Sequence, residues 1–470
     1  MRPESPTTND AAAASGDSPV LLRTMGLFSL VVYGVGDMIG SGIYGTVGKA
    51  AGTLGNAVWL AFVVSMVAAV MTGLSYACLA SRYPRAAGAA YVTHRAYHFA
   101  FLSYLVGLTV TASGLTSMAT QTYVFADNLA KMLGGPWLLM ALAFLGAMTF
   151  INFWGIRQSM WMNLMCTAVE VGGLLFIIAV GARYWGSVHY LETPRAVFDA
   201  QGQMIDHGLG TSMLLAGSVL TFFSFVGFED MLNVAEEVKD PRRTMPWGIV
   251  LALAVATVLY IGVAVTAVSV VNHRDLAAHP APLSAIANRA APWLPARTYD
   301  FITLFAVANT MLINYIMGSR LLYGMARQGL LPAVLGRVHA TRHTPHVAIL
   351  TLLVLVLLLA LSGGADGVRT LASATGLLLL FSFMIVNTAL IVLKLRPGEP
   401  VGAFEVPVFV PALGVLINAT LIVARLTDRD TSIRAPIIAG AIVLSVSILY
   451  LLVRPKNVTE EVLATIEQES

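Results

Sequence analysis

The chain has 470 residues, 57% of them hydrophobic and only 11% charged, with a mean hydropathy of +0.76. That composition excludes an ordinary soluble domain. The net charge of +3 is no nucleic-acid signal, because the basic residues fall in short loops between apolar runs, where they set orientation in a membrane.

Residues 1–22 read as a disordered cytoplasmic tail, rich in Ala, Ser, Thr, Asp and Pro and without the apolar core of a signal peptide. From residue 23 to 453 the chain reads as one domain of twelve apolar runs, at 24–50, 57–80, 99–127, 136–154, 159–184, 209–235, 247–271, 299–326, 347–362, 368–393, 406–425 and 435–453. Each is close to the roughly 20 residues of a bilayer-spanning helix. Residues 454–470 form a second polar tail. With both termini placed in the cytoplasm, about 17 of the Lys and Arg residues fall inside and about 11 outside, a moderate bias that agrees with twelve spans. The expected location is therefore multi-pass and integral, in the plasma membrane. Cys78 and Cys166 both lie within spans, so no disulfide is expected.

The first run contains Tyr33–Ala51, YGVGDMIGSGIYGTVGKAA, with six glycines and the carboxylate of Asp37. Lipid offers no partner to a freed backbone group, so a broken membrane helix is tolerated only where it lines a cavity or meets a ligand. Gly36, Gly40 and Gly42 around Ser41 make such a break easy. Close helix packing through small residues is the competing reading. The second run is conventional. The basic segment Ser81–His98 reads as a cytoplasmic turn with a short interfacial helix. The third run carries Gly107, Ala112, Ser113 and Gly114, which read as a helix-packing surface.

The fifth run contains one acid, Glu170, at a position where a charge costs roughly 2.5–3.5 kcal/mol. It must face protein or water, either as a structural hydrogen-bonding group or as a proton carrier. After a polar outer loop at 185–208, the sixth run reads TFFSFVGFEDMLNVAEEVKDPRR, interrupted by Ser224, Gly227, Glu229 and Asp230. Paired interruptions five runs apart are the sequence mark of an inverted-repeat transporter. Glu229 and Asp230 are adjacent and so point to different sides of a helix; Glu229 is the one expected on the pathway. The charged group Glu236, Glu237, Lys239, Asp240, Arg242 and Arg243 reads as a solvated cytoplasmic loop, with a salt-bridged inner gate as the alternative. His273–Arg297 reads as an outer loop with a short helix. The eighth run carries Asn309, Asn314, Tyr315 and Arg320. No histidine has metal-ligand spacing, and no nucleophile–base pair is visible within the spans. The sequence therefore predicts no enzyme, no cofactor and no metal.

Four segments in order carry a resemblance to the amino acid–polyamine–organocation superfamily of secondary transporters: GVGDMIGSGIY, SRYPRAAGAAYV, FFSFVGFEDMLNVAEEVKDPRRTMP and GSRLLYGMARQGLLP. The resemblance covers nearly the whole chain. It implies an all-α fold of twelve helices, a five-plus-five inverted repeat of LeuT type with discontinuous helices 1 and 6, and alternating access. It places the substrate carboxylate at Gly40, Ser41 and Gly42, and the amine near Met38 and Phe223–Val226. The substrate-contacting set it implies is Asp37, Met38, Ile39, Gly40, Ser41, Gly42, Phe223, Ser224, Phe225, Val226, Gly227 and Asn314, with Phe223 as an aromatic gate. Glu229 matches an acid common in the family. Two residues depart from it. Glu170 stands where some proton-coupled relatives have lysine, and Asp37 stands where small or neutral residues are usual. Glu170, Glu229 and Asp37 are thus the candidates for proton coupling. The expected partners are an amino acid or related amine, a coupling proton and the bilayer, with exchange of basic amino acids or polyamines as the alternative.

Overall fold

The computed structural model describes residues 21–453 apart from 200–203, 280, 296, 363 and 428–433, so most of the first polar tail and all of the second lie outside the described residues. The chain is almost entirely helical: α1 (Leu27–Leu54), α2 (Val58–Arg82), α3 (Gly88–Tyr97), α4 (Ala100–Leu133), α5 (Trp137–Trp154), α6 (Ile156–Gly181), α7 (Thr211–Phe222), α8 (Pro241–Val270), α9 (His273–Ala278), α10 (Pro282–Ala290), α11 (Thr298–Arg327), α12 (His346–Ser362), α13 (Gly364–Leu395), α14 (Phe409–Thr427) and α15 (Arg434–Val453).

Each of the twelve apolar runs contains an α-helix, the sixth over Thr211–Phe222 alone. Among the described residues, nine helical stretches are long and apolar enough to cross a membrane, one of them joining the second half of α1 to α2. The apolar stretches that fall short are Leu27–Gly40, Thr211–Phe222 and His346–Leu361. The first two belong to the runs that the sequence marks as interrupted. Outward-facing Leu139, Val258, Leu358, Leu416 and Leu452 present bare hydrocarbon, which is stable only against lipid. Exposed Trp154, Trp161, Trp185 and Trp293 lie at helix ends or early turns, where amphipathic rings suit the interface.

α1 is the central element. It packs on α6, α7, α8 and α11, while α2 pairs with α8 and α4 with α11. Its ladder breaks at Gly40, whose φ of −5° and ψ of −138° are non-helical. The sixth run breaks more severely. α7 ends at Phe222, the chain turns through Phe223–Glu229, and a 3₁₀ stretch runs from Asp230 to Glu237.

Three sequence expectations change here. The expected interfacial helix is α3, but Gly88–His94 is buried. Ala87 adopts a left-handed φ of 57° that turns the chain inward, and Gly88 leaves room for Leu232, which a Cβ would meet at 2.1 Å. The segment His273–Arg297 holds, among its described residues, two short helices, α9 and α10, where one was expected, and α9 packs against α1. The charged group Glu236–Arg243 is not uniformly solvated. Glu237 is fully buried and takes two hydrogen bonds, each 3.0 Å, from the guanidinium of Arg320 on α11.

The backbone oxygen of Glu237 also accepts from Thr24 N at 2.9 Å and Met25 N at 3.0 Å, and Lys239 N donates to Met25 O at 2.8 Å. These bonds strap the segment before α1 to the segment after the 3₁₀ stretch, with a parallel bridge between Met25 and Val238.

Candidate substrate site

A cavity of ≈ 130 Å³ lies where the two breaks meet. Asp37, Met38 and Gly42 line it from α1, and Phe223, Val226, Gly227, Glu229 and Asp230 from the second break. α4 adds Val110, Ser113, Gly114 and Ser117, α11 adds Thr310, Asn314 and Met317, and Leu379 on α13 closes it. Of the residues implied by the family resemblance, Ile39, Gly40, Ser224 and Phe225 stand behind this wall rather than on it. Ser41 is helical, and its side chain lies outside the described residues.

The helices meet closely because small residues permit it. A Cβ on Gly42 would come within 3.2 Å of the Ser224 backbone, and one on Gly40 within 2.1 Å of Thr310 Oγ1. Gly227 has a φ of 130°, and a Cβ there would sit 3.0 Å from the Asp37 carboxyl carbon. Glycine is needed at this position both for its backbone and for its space. Its amide donates to Glu229 Oε2 at 2.8 Å, which fixes that carboxylate at the cavity wall.

Glu229 and Asp230 both line the cavity. The expectation that neighbours point apart fails because Asp230 opens the 3₁₀ stretch and Glu229 ends a turn, so α-helical spacing does not apply. Asp230, expected from the sequence to point away from the pathway, stands on the cavity wall beside Glu229. Its carboxyl group and that of Asp37 lie within hydrogen-bonding reach of each other. Asp37 and Asp230 are 7% and 5% exposed, and Asp37 Oδ2 and Asp230 Oδ1 each lack a donor. Three carboxyl groups therefore converge on the cavity, and no Lys, Arg or His is among the described residues lining it. Val110, Val226, Met317 and Leu379 supply an apolar side.

Asn314 faces the cavity with its Nδ2 donating to Thr310 O at 2.8 Å, so its free capacity lies mainly on the carbonyl oxygen. Ser117 and Thr310 were not singled out from the sequence, and Ser113 was read only as part of a packing surface. The small-residue stretch on α4 was assigned to packing, and it both packs and lines the cavity.

Behind the site, a single hydroxyl joins the two breaks. Tyr260 Oη on α8 lies 2.5 Å from Met38 O and 2.6 Å from Ser224 O. Its one proton is shared between two carbonyls freed by the interrupted helices. The second half of α1 is joined to the turn again by Thr46 Oγ1 and Ser224 Oγ at 2.6 Å.

Glu170 lies apart from the cavity, on α6, and is fully buried, with the Asn309 side chain of α11 within hydrogen-bonding reach of its carboxyl group. Beside it, Asn309 Nδ2 donates to Thr167 Oγ1 at 2.9 Å, and Asn163 Nδ2 donates to Asn309 Oδ1 at 2.9 Å. Gly36 lets α1 settle on this cluster, since a Cβ there would lie 2.3 Å from Thr167 Oγ1. Among the described residues, no three His, Cys, Asp or Glu side chains are arranged to hold a metal ion.

The family model for amino acid permeases matches residues 25–458. A branched-chain amino acid permease of Bacillus subtilis is 26% identical over 88% of this chain and 90% of its own length. Cationic amino acid transporter 9, chloroplastic, of Arabidopsis thaliana is 31% identical over 72% of this chain, which spans 61% of that protein. A methylthioribose transporter of Bacillus subtilis is 28% identical over 87% of this chain and 88% of its own length. These relatives are transporters, not enzymes, and the match extends from the strap at Met25 through the last described helix. The chain belongs to the amino acid permease family, and it is a multi-pass membrane transporter.

Proposed function

We propose that this permease carries amino acids or related amines with a net positive charge. The observation that carries this reading is the lining of the cavity, with three carboxyl groups and no basic side chain among its described residues. Charges buried in a low-dielectric site need a counter-charge, and an ammonium or guanidinium supplies it with directional donors. The 31% identity to a cationic amino acid transporter supports the same class.

In this reading the fold is a twelve-helix, LeuT-type inverted repeat with both termini in the cytoplasm of a plasma membrane, and it works by alternating access. The substrate amine meets Asp37 and the carbonyls near Met38 and Phe223–Val226, and Phe223 gates the cavity. The remaining family-implied contacts (Ile39, Gly40, Ser41, Gly42, Ser224, Phe225, Gly227 and Asn314) hold the backbone turns and the carboxylate end. Movement is coupled to a proton, for which the intramembrane acids Asp37, Glu229 and Glu170 are the family-implied candidates.

Uptake of labelled L-arginine, L-lysine, putrescine and L-leucine into proteoliposomes tests the class, with internal substrate or a proton gradient imposed. Arginine, lysine or putrescine is expected to enter and leucine to compete weakly. Asp37→Asn should reduce the preference for cations at least tenfold. Leucine uptake without cation uptake would reverse the reading in favour of a neutral substrate.

A further inference from the structure

We propose that the coupled proton is held between Asp37 and Asp230 in the binding cavity itself, and that a cationic substrate displaces it. The transporter would then be a cation–proton exchanger in which one site binds either species. This rests on the cationic reading above and specifies how that site is coupled.

The geometry of the pair carries the inference. Asp37 closes the first half of α1 and Asp230 opens the 3₁₀ stretch, so the two carboxyl groups meet across the two breaks. Asp37 Oδ2 and Asp230 Oδ1 are buried and have no donor. Two facing acceptors leave this signature, and one proton between them supplies the missing donor. Two close carboxyl groups do not both ionise readily in a dry site, and they titrate as a unit.

The groups around the pair leave it without another counter-charge at hydrogen-bonding distance. Tyr33 on α1 and Tyr76 on α2 face it with buried hydroxyls that have no partner of their own. Glu229 adds a third acid from the turn, Glu170 faces Asp37 from α6, and Tyr260 on α8 is committed to Met38 O and Ser224 O. The cation felt nearby, Arg320 on α11, is already paired twice with Glu237. Among the described residues, α4 contributes Val110, Ser113, Gly114 and Ser117 to the cavity, and α13 contributes Leu379.

The step balances in charge and atoms. The protonated pair holds one H⁺. When an ammonium or guanidinium enters, it donates hydrogen bonds to both carboxylates, and the H⁺ leaves to water on the side to which the cavity is open. With L-arginine, a net monocation, the net charge of the occluded site is the same as with the proton; putrescine, a dication, leaves it one unit more positive. Each return journey must carry a proton or another cation, because the empty, ionised pair is the state the interior disfavours.

The test is calorimetric titration of the full-length protein in lipid nanodiscs with L-arginine and with putrescine, in two buffers of different ionisation heat, between pH 5.5 and pH 8. Release of about one proton per cation bound is expected, with Kd falling roughly tenfold per pH unit while the pair is protonated. Asp230→Asn should bind L-arginine with little proton release and a flattened pH dependence. Asp37→Asn is the second variant, should the first fail to fold. Binding of arginine or putrescine with no proton release would overturn the proposal and leave the cationic reading standing. Proton release abolished by Glu170→Gln but kept in Asp230→Asn would also overturn it, by moving the proton to α6. Failure of both probes to bind while L-leucine binds would overturn the cationic reading and this proposal together.

Discussion

At the scale of single residues, the site depends on where a side chain is absent as much as on where a carboxyl is present. Gly227 combines a φ of 130° with a Cβ position 3.0 Å from the Asp37 carboxyl carbon. Alanine there meets both a backbone penalty of about 1–3 kcal/mol and a steric push on the acid it faces. Gly227→Ala is therefore expected to weaken L-arginine binding at least tenfold while lowering thermal stability by only a few degrees, as measured by calorimetry and thermal unfolding of the same preparation. An unfolded variant, or one with unchanged affinity, would refute that account. The acids show what a sequence tells at this scale. Asp37 stood out because it departs from the apolar and glycine-rich residues around it. Asp230 was legible as an interruption but not as a wall of the cavity, because its orientation depends on a turn ending at Glu229 and a 3₁₀ stretch beginning one residue later, and the residue types do not encode that change of period.

At the scale of elements, the two interruptions were legible because physics forbids them elsewhere in a membrane. Glycines and acids inside apolar runs have few explanations other than a break. The places where the break residues join were not legible. The contact that links them comes from Tyr260, one aromatic residue in the otherwise unremarked apolar helix α8, and nothing in its neighbourhood of sequence sets it apart. Tyr260 holds Met38 O and Ser224 O with one proton, at 2.5 and 2.6 Å. Tyr260→Phe removes that donor and frees the two breaks to move separately. A loss of about 1 kcal/mol corresponds to roughly fivefold in rate. Counterflow in proteoliposomes should slow by about that factor, while the stoichiometry of arginine binding is retained. Unaltered counterflow would mean that Thr46 and Ser224 hold the breaks together without it.

At the scale of the whole molecule, the end that carries the strap is held by two kinds of charge pairing. Arg320 and Glu237 form a buried pair, 1% and 0% exposed at their side chains. Removing one member of such a pair strands the other, at a cost of about 3–5 kcal/mol. Arg320→Ala is expected to be much less stable in thermal unfolding than the double variant Arg320→Met with Glu237→Leu. The double variant should recover stability and lose regulated closure, seen as a faster leak of preloaded substrate. Equal stability of the single and double variants would exclude this role. The second pairing fastens the loop between α13 and α14. Glu405 accepts from Arg82 Nε at 2.6 Å and Arg82 Nη2 at 2.8 Å, and also pairs with Lys394. Burial opposes its ionisation, but the hydrogen bonds from Arg82 and Lys394 prevail and bring its pKa down to about 2. Because that value is depressed, the contribution is complete above the ordinary carboxyl range and is lost as pH falls towards 2. Thermal unfolding followed from pH 7 to pH 3 should show an acid-labile component that Glu405→Gln lacks.

The strap between Met25 and Val238 differs from both pairings, because it is made by backbone atoms alone. Thr24 N, Met25 N and Lys239 N are its donors, and Glu237 O and Met25 O its acceptors. Any residue except proline at a donor position supplies the same atoms. The side chains at this threshold are therefore free to diverge through mutation without loosening it. A comparison of permeases by residue identity would overlook the contact, and superposition of their main chains would reveal it.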